Sequence, residues 1–196
     1  MFPVSGCGRM RRSILPFGCV VETCADGSCM GCKLSELIRR EWIIPDLVSS
    51  SKEGALGEIA RRMSKVSTEI DPTELFTKLV ERENKASTGA DQGLAIPHAS
   101  LHTISHLIVA VCRSSGGVDF GALDNERSKI FFTIVSPART LESGEVTYLQ
   151  VISSVCKFMR APSVRNRILA AENADEIYDI LTTEEHVRES KLAMAL

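Results

Sequence analysis

Apolar residues recur at helical spacing in two neighbouring segments of the first half of the chain. The apolar face of the first segment consists of Leu56, Ile59, Ala60, Met63 and Val66. Ser50 and Glu53 precede this face with the spacing of a capping box, which predicts a helix with Ser50 as its N-cap. The second segment opens with Asp71 and Pro72, a pair typical of the N-cap and first turn of a helix. The pattern therefore predicts two successive amphipathic helices.

Short apolar runs without helical spacing predict buried strands. They are Trp42–Ile44, Gly93–Ile96, Leu107–Cys112 and Ile130–Val135. The run before Pro97 is predicted to end at that proline and to present His98 at its end, because proline lacks an N–H and restricts the residue before it. Residues 114–117 have the Ser- and Gly-rich composition of a turn.

From Glu145 onward the spacing is helical again. The predicted buried face consists of Val146, Leu149, Ile152, Ser153, Cys156 and Met159. Two shorter helices follow, one after Ser163 and one capped at Asn173. Strands that alternate with helices predict an α/β fold in which helices flank a mixed sheet of about five strands. We expect this domain to span residues 33–185, with a flexible, Cys-rich extension at 1–32 and a polar tail at 186–196.

Composition narrows the classes of function. The chain has 196 residues, of which 44% are hydrophobic and 24% charged, ordinary values for a globular domain. A net charge of -2 and 5% aromatic residues argue against nucleic-acid binding. The longest apolar run, Leu107–Cys112, is too short to cross a bilayer. We therefore expect a cytoplasmic protein that neither binds nucleic acid nor inserts into a membrane.

Seven cysteines are unevenly distributed, with five of them in the first 32 residues. An odd number in a protein expected in the cytoplasm argues against a disulfide framework. Four thiolates near the N-terminus could hold zinc or an iron–sulfur cluster. They are Cys19, Cys24, Cys29 and Cys32. A disordered tail, or a start codon assigned too far upstream, explains the same residues without a metal site. Cys112 and Cys156 lie in apolar patterns and are predicted to be core residues.

His98 directly follows a predicted strand, where ligands of open α/β sheets bind. A neutral imidazole held there can act as a nucleophile. Arg82 could bind a phosphoryl oxygen through its guanidinium. The Thr88 hydroxyl and the backbone N–H groups of Thr88 and Gly89 could form an anion-binding turn. Alternatively, His98 is a structural histidine and Arg82 a solvated helix charge paired with neighbouring glutamates.

His98, His102 and His106 recur every four residues, a spacing that would align three zinc ligands on a helix. Pro97 and the β-branched Thr103 disfavour a helix in this segment. We therefore expect His102 and His106 to be polar residues near the site rather than metal ligands.

One stretch of the chain resembles a known phosphorylation motif. Ala86–Gly89 followed by Gly93–His98 is similar to the motif of type-2 enzyme IIA domains of the bacterial phosphoenolpyruvate:sugar phosphotransferase system, mannitol/fructose class. Asp119–Asp124 is similar to the next landmark of that family. Arg165–Ala171 and Asp175–Tyr178 resemble the closing segment of its nitrogen-regulatory branch. The resemblance covers the whole predicted domain.

The resemblance implies that His98 accepts a phosphoryl group from a histidine of the phosphocarrier HPr or its nitrogen-branch paralogue. Arg82 would stabilise the phosphohistidine, with Thr88 and Gly89 binding the phosphoryl oxygens. The protein would then be a phosphotransferase of low turnover that regulates target proteins through its phosphorylation state. The resemblance implies no cofactor and no metal.

Two residues depart from the pattern of the family. Asp91 lies in Ala90-Asp91-Gln92, where the family usually has Ile-Gly-Asn, and its carboxylate would repel a nearby phosphate unless it points away. Tyr148 occupies the position of a second active-site histidine of sugar-transporting members, and a tyrosine cannot become an imidazolium. A second hypothesis is therefore an unphosphorylated binding module of the same fold, in which Asp91 supplies a fixed negative charge. A third is a metal or redox sensor that uses the N-terminal cysteines.

Overall fold

The computed structural model describes residues 11–14, 20–23, 33–122, 124–139 and 146–193. The helices of this part of the chain are α1 (Leu34–Leu37), α2 (Lys52–Val66), α3 (Pro72–Lys85), α4 (Tyr148–Met159), α5 (Pro162–Ala170) and α6 (Ala174–Ala193). The strands are β1 (Arg11–Ile14), β2 (Val20–Thr23), β3 (Ile38–Ile44), β4 (Gly89–Ala90), β5 (Leu94–Ala95), β6 (His98–Leu101), β7 (Ile108–Val118) and β8 (Ser128–Pro137).

Six of these strands form one mixed sheet in the order β3-β7-β8-β5-β4, with β6 also paired to β8. The central pair, β7 and β8, is antiparallel, whereas β3 runs parallel to β7, and β5 and β6 run parallel to β8. The predicted α/β class with a mixed sheet is confirmed, and the described residues give the main sheet six strands.

Helices cover both faces of this sheet. On β8, Phe131 and Val135 belong to a buried cluster shared with α2 and α3, while Ile130 and Phe132 belong to a second cluster shared with α4, α5 and α6. Successive residues of a strand point to opposite faces, so a strand covered on both sides is apolar at consecutive positions. This is why Ile108–Cys112 of β7 and Ile130–Val135 of β8 are nearly continuous apolar runs in the sequence.

The two predicted helix starts have different outcomes. Asp71 caps α3 as predicted, and its carboxylate accepts from the N–H groups of Thr73 and Glu74. The predicted N-cap Ser50 of α2 is wrong by one residue. The hydroxyl of Ser51 accepts instead from Gly54 N at 3.2 Å.

The turn predicted at residues 114–117 is wrong, because β7 continues through it to Val118. The pairing with β8 shifts register between Arg113 and Val118, and Val118 then pairs with Ser128. Gly117 has a φ of 69° within this irregular stretch. The small residues that suggested a turn therefore form a bulged part of a strand.

The predicted buried face of α4 is wrong in part: Val146 and Met159 are buried as predicted, but Leu149, Ser153 and Cys156 are exposed. The helix buries the stripe that contains Val151, Val155 and Phe158, whereas Leu149 is 61% exposed and Cys156 is exposed rather than in the core. Both stripes carry apolar residues, so spacing alone does not decide which one faces the sheet. Cys112, by contrast, is a buried core residue of β7 as predicted.

Two predicted features lie near the chain ends: the cysteine cluster and the polar tail. Cys19, Cys24, Cys29 and Cys32 lie outside the described residues. β1 and β2 pair with each other in a two-stranded antiparallel sheet. The polar tail predicted from residue 186 continues α6 as far as Ala193, so the expected boundary at 185 falls inside a helix. Within the described ranges, no helix has both the length and the apolar character that a membrane span requires.

Candidate functional site

His98 lies directly after the interruption between two short strands, β5 and β6, that both pair with β8. β5 ends at Ala95, and His98 begins β6 rather than ending the preceding strand, which corrects the predicted placement. Both short strands run parallel to β8, and the carbonyl between them, Pro97 O, accepts from Ile134 N at 2.9 Å. Pro97 separates β5 from β6, but both strands keep the same alignment with β8. The half-buried His98 ring therefore has a fixed direction.

Both nitrogens of this ring have hydrogen-bond partners. Arg82 Nε donates to His98 Nε2 at 2.9 Å, and His98 Nδ1 is 3.1 Å from Ile96 O. A carbonyl oxygen can only accept and a guanidinium nitrogen can only donate. His98 therefore carries its proton on Nδ1 and a lone pair on Nε2.

Arg82 reaches His98 from the last turn of α3. Its Nη1 also donates to Ala86 O at 2.8 Å, which ties the guanidinium to the loop that follows the helix. The two residues are 16 positions apart, and the sequence predicts that they share a site. The structure brings the cation directly to the ring nitrogen that has the lone pair.

Tyr148, at the start of α4, packs on the same imidazole ring. The two ring centroids are 5.4 Å apart with 21° between the ring planes, a stacked arrangement. Tyr148 is the first residue of α4, and Thr147 and Gln150 form a capping box around it. The helix start thus holds the tyrosine ring against His98.

Burial sets the direction of the His98 pKa. Loss of solvation lowers the pKa of the imidazole below its ordinary value, because the cation is the form that burial disfavours. The hydrogen bond to Ile96 O raises the pKa, the Arg82 charge lowers it and the Glu83 charge raises it, and the net effect is a lowered pKa. At neutral pH the ring is therefore neutral.

Thr88 and Gly89, the other predicted phosphoryl-binding residues, make hydrogen bonds within the chain. The N–H and hydroxyl of the buried Thr88 both donate to Glu83 Oε2, and Gly89 N donates to Ser87 Oγ at 3.1 Å. A Cβ added at Gly89 would lie 3.1 Å from the backbone nitrogen of Ala122, so glycine allows the close approach of β4 to the segment that contains Ala122.

Sequence reasoning missed Glu83, which is only 7% exposed. Its carboxylate accepts from Thr88 and also from Lys52 Nζ at 3.0 Å. Glu83 follows Leu75 and Leu79 at intervals of four residues, so it lies on the buried stripe of α3. A carboxylate on an apolar stripe was the signal that could have identified it.

The remaining candidates lie outside this cluster. Asp91 is exposed in the turn between β4 and β5, and the positive φ of that turn falls on Gln92 and Gly93 instead. His98 begins a strand and His102 follows it in a loop, so the three histidines do not share a helix. In the part of the chain that the structure describes, no three His, Cys, Asp or Glu side chains are grouped to hold a metal ion.

Known proteins share both sequence and fold with this chain. Residues 36–184 match the family described as "Phosphoenolpyruvate-dependent sugar phosphotransferase system, EIIA 2". A "PTS system fructose-specific EIIA component" of Haloferax volcanii is 33% identical over 132 residues, which cover 67% of this chain and 83% of that protein. A "Nitrogen regulatory protein" of Pseudomonas aeruginosa is 28% identical over 149 residues, which cover 76% of this chain and 94% of that protein.

A similar fold is found in the crystal structure of Nitrogen Regulatory Protein IIA-Ntr from Neisseria meningitidis. The two structures superpose with a TM-score of 0.66 and 26% sequence identity. The superposition covers 76% of this chain and 98% of the Neisseria protein.

Proposed function

This chain belongs to the EIIA 2 family of the phosphoenolpyruvate-dependent sugar phosphotransferase system, and from this premise we propose that it carries a phosphoryl group on His98. One observation supports this proposal above the others. A neutral imidazole with its lone pair on Nε2 lies 2.9 Å from the guanidinium of Arg82. A nucleophile and a cation at that distance are what acceptance of a phosphoryl group requires.

The geometry favours Nε2 as the atom that is phosphorylated. Nδ1 holds its proton against Ile96 O, so it has no lone pair with which to attack phosphorus. The guanidinium of Arg82 now donates to Nε2 and would have to transfer this hydrogen bond to a phosphoryl oxygen as the donor approaches. The charge of Arg82 then stabilises the negative charge on the phosphoryl group through attack and afterwards.

Thr88 and Gly89 have a smaller expected role. Their donors are engaged by Glu83 and Ser87, so either residue would have to exchange a hydrogen bond within the chain for one to a phosphoryl oxygen. Arg82 is therefore the principal phosphoryl-binding residue in this proposal.

The phosphoryl donor that we propose is a histidine-containing phosphocarrier, HPr or a paralogue. The nitrogen regulatory proteins among the relatives support a regulatory role, in which the chain controls target proteins in the cytoplasm through its phosphorylation state. Phosphorylation adds about 1.5 to 2 negative charges, enough to change the affinity of a protein surface for a partner. The stacking of Tyr148 on His98 distinguishes this chain from family members that have a second active-site histidine at the position of Tyr148.

Incubation of the purified chain with phosphoenolpyruvate, enzyme I and HPr tests the proposal. We expect a mass gain of one phosphoryl group that is labile in acid and absent from His98→Ala. His102→Ala, an exposed histidine outside the site, is the matched control and should retain the gain. Arg82→Leu should slow phosphorylation about a hundredfold.

Two outcomes would contradict the proposal. A mass gain that persists in His98→Ala would place the phosphoryl group elsewhere. The absence of any gain in the wild-type chain with HPr and its paralogues would favour the unphosphorylated binding module.

A further inference from the structure

Tyr148 contacts the reacting residue, yet the proposed phosphoryl transfer assigns it no role. Its ring lies against the His98 ring at a centroid distance of 5.4 Å, and the residue is 36% exposed. The capping box of α4 fixes the backbone of Tyr148. The ring therefore lies where it can interact with any charge on the His98 ring.

Phosphoryl transfer changes the charge of the ring that Tyr148 covers. The P–N bond to the donor's histidine breaks and leaves its electron pair on the donor nitrogen, while the Nε2 lone pair forms the new P–N bond. The proton on Nδ1 remains, bound to Ile96 O. The His98 ring thereby becomes an imidazolium with one positive charge, joined to a phosphoryl group with two negative charges.

The groups that face this ring act on its charge in different ways. The Arg82 guanidinium disfavours a positive ring and the Glu83 carboxylate favours one, and both come from α3. From α4, Tyr148 presents the face of an aromatic ring. The negative face of such a ring attracts a cation that lies within about 6 Å of its centroid. The stacking distance of 5.4 Å meets that condition.

Resting on the proposed function, we propose that Tyr148 is a positioning residue that stabilises phosphorylated His98, because its aromatic face lies against the ring that becomes positively charged. The attraction is stronger after phosphorylation than before it, so Tyr148 shifts the equilibrium of phosphoryl transfer toward this chain. The aromatic ring carries the effect, and the hydroxyl is not required.

Two substitutions separate the aromatic ring from the other properties of Tyr148. Tyr148→Leu retains an apolar side chain without a π system, and Tyr148→Phe removes only the hydroxyl. At a pH where the phosphohistidine ring is protonated, we expect Tyr148→Leu to lower the equilibrium constant for transfer from HPr about two- to fivefold. The pKa of the phosphohistidine ring, followed by NMR, should fall by about half a unit in the same variant. Tyr148→Phe should match the wild-type chain in both measurements.

The results discriminate among the alternatives. Ser153→Ala, exposed on the same helix, is the control and should change neither quantity. A Tyr148→Leu chain with the wild-type equilibrium and ring pKa would overturn the inference, and so would a Tyr148→Phe chain that behaves like Tyr148→Leu. If the wild-type chain is not phosphorylated on His98, the proposed function itself fails, which the wild-type measurement reveals before any Tyr148 variant is compared.

Discussion

Three contacts fix the imidazole of His98, and each restricts a different property of the ring. Ile96 O holds the proton on Nδ1, Arg82 Nε lies at the nitrogen that has the lone pair, and the Tyr148 ring sets the plane. A free histidine exchanges between two tautomers and rotates, whereas this one is held in a single state. The chemistry of the site follows from that single state, and so does its response to pH.

The first prediction concerns the pH dependence of phosphoryl acceptance. The net effect of burial and of the neighbouring charges lowers the pKa of His98 below the ordinary value of 6.5. Because only the neutral ring has a lone pair at Nε2, we expect the rate to fall as the pH drops through this lowered pKa. NMR titration of the unphosphorylated chain measures the pKa, and Arg82→Met should raise it by removing a positive charge. A titration midpoint at or above 6.5 in the wild-type chain would contradict this prediction.

The same pKa affects stability. Between the lowered pKa of the folded chain and the ordinary value of 6.5, the unfolded chain binds more protons at this histidine than the folded chain does. The free energy of unfolding therefore decreases as the pH falls through that interval. Urea unfolding at pH values above and below the interval measures this decrease in the free energy of unfolding. The decrease should be smaller in His98→Gln than in the wild-type chain.

A second prediction concerns the buried carboxylate of Glu83. Glu83→Ala would leave the N–H and hydroxyl of Thr88 and the ammonium of Lys52 without their acceptor. Unsatisfied buried donors are costly, so we expect the free energy of unfolding to fall by about 1–3 kcal/mol, as measured by urea denaturation. Glu83→Gln keeps one amide oxygen as an acceptor and should lose less. A change within about 0.5 kcal/mol in Glu83→Ala would show that the network contributes little.

At the scale of elements, local chemistry could be predicted and packing choices could not. Asp71 caps α3 through hydrogen bonds to residues two and three positions away, so its signal lies entirely within a short stretch of sequence. On α4, both stripes are apolar, and only contact with the sheet selects the one that contains Phe158. In β7, pairing of Val118 with Ser128 overrides the turn composition of the preceding residues.

The bulge in β7 provides a matched pair of glycines for a third prediction. A Cβ at Gly117, where φ is 69°, would lie 2.9 Å from the Cβ of Arg127 and 3.2 Å from the Cγ of Lys129. At Gly116 an added Cβ would meet nothing within 4 Å. We therefore expect Gly117→Ala to lower the free energy of unfolding by more than about 1 kcal/mol, and Gly116→Ala to change it by less than about 0.5 kcal/mol. Equal effects in thermal or urea unfolding would mean that the positive φ is not required.

For the whole molecule, sequence distance separates what could be predicted from what could not. Arg82 and His98 lie only 16 residues apart in one continuous segment from α3 to β6, so a motif could place them together. The pairing of Lys52 with Glu83 joins two helices 31 residues apart, and no local pattern specifies it. Tyr148 could be placed at the site only through the resemblance to a family, since nothing in its own helix indicates a contact with His98.

The organisation of the molecule leads to the fourth prediction, which concerns residues 1–32. The family match covers residues 36–184, and β1 and β2 pair with each other in a separate two-stranded sheet. We therefore expect the six-stranded domain to fold without residues 1–32. A chain that lacks residues 1–32 should melt within a few degrees of the full chain and should still acquire acid-labile phosphate on His98. Metal analysis of both chains tests the sensor hypothesis at the same time, because zinc or iron held by the N-terminal cysteines would be lost with them. A large fall in melting temperature without any bound metal would contradict the predicted domain boundary, since it would show that the extension packs on the core.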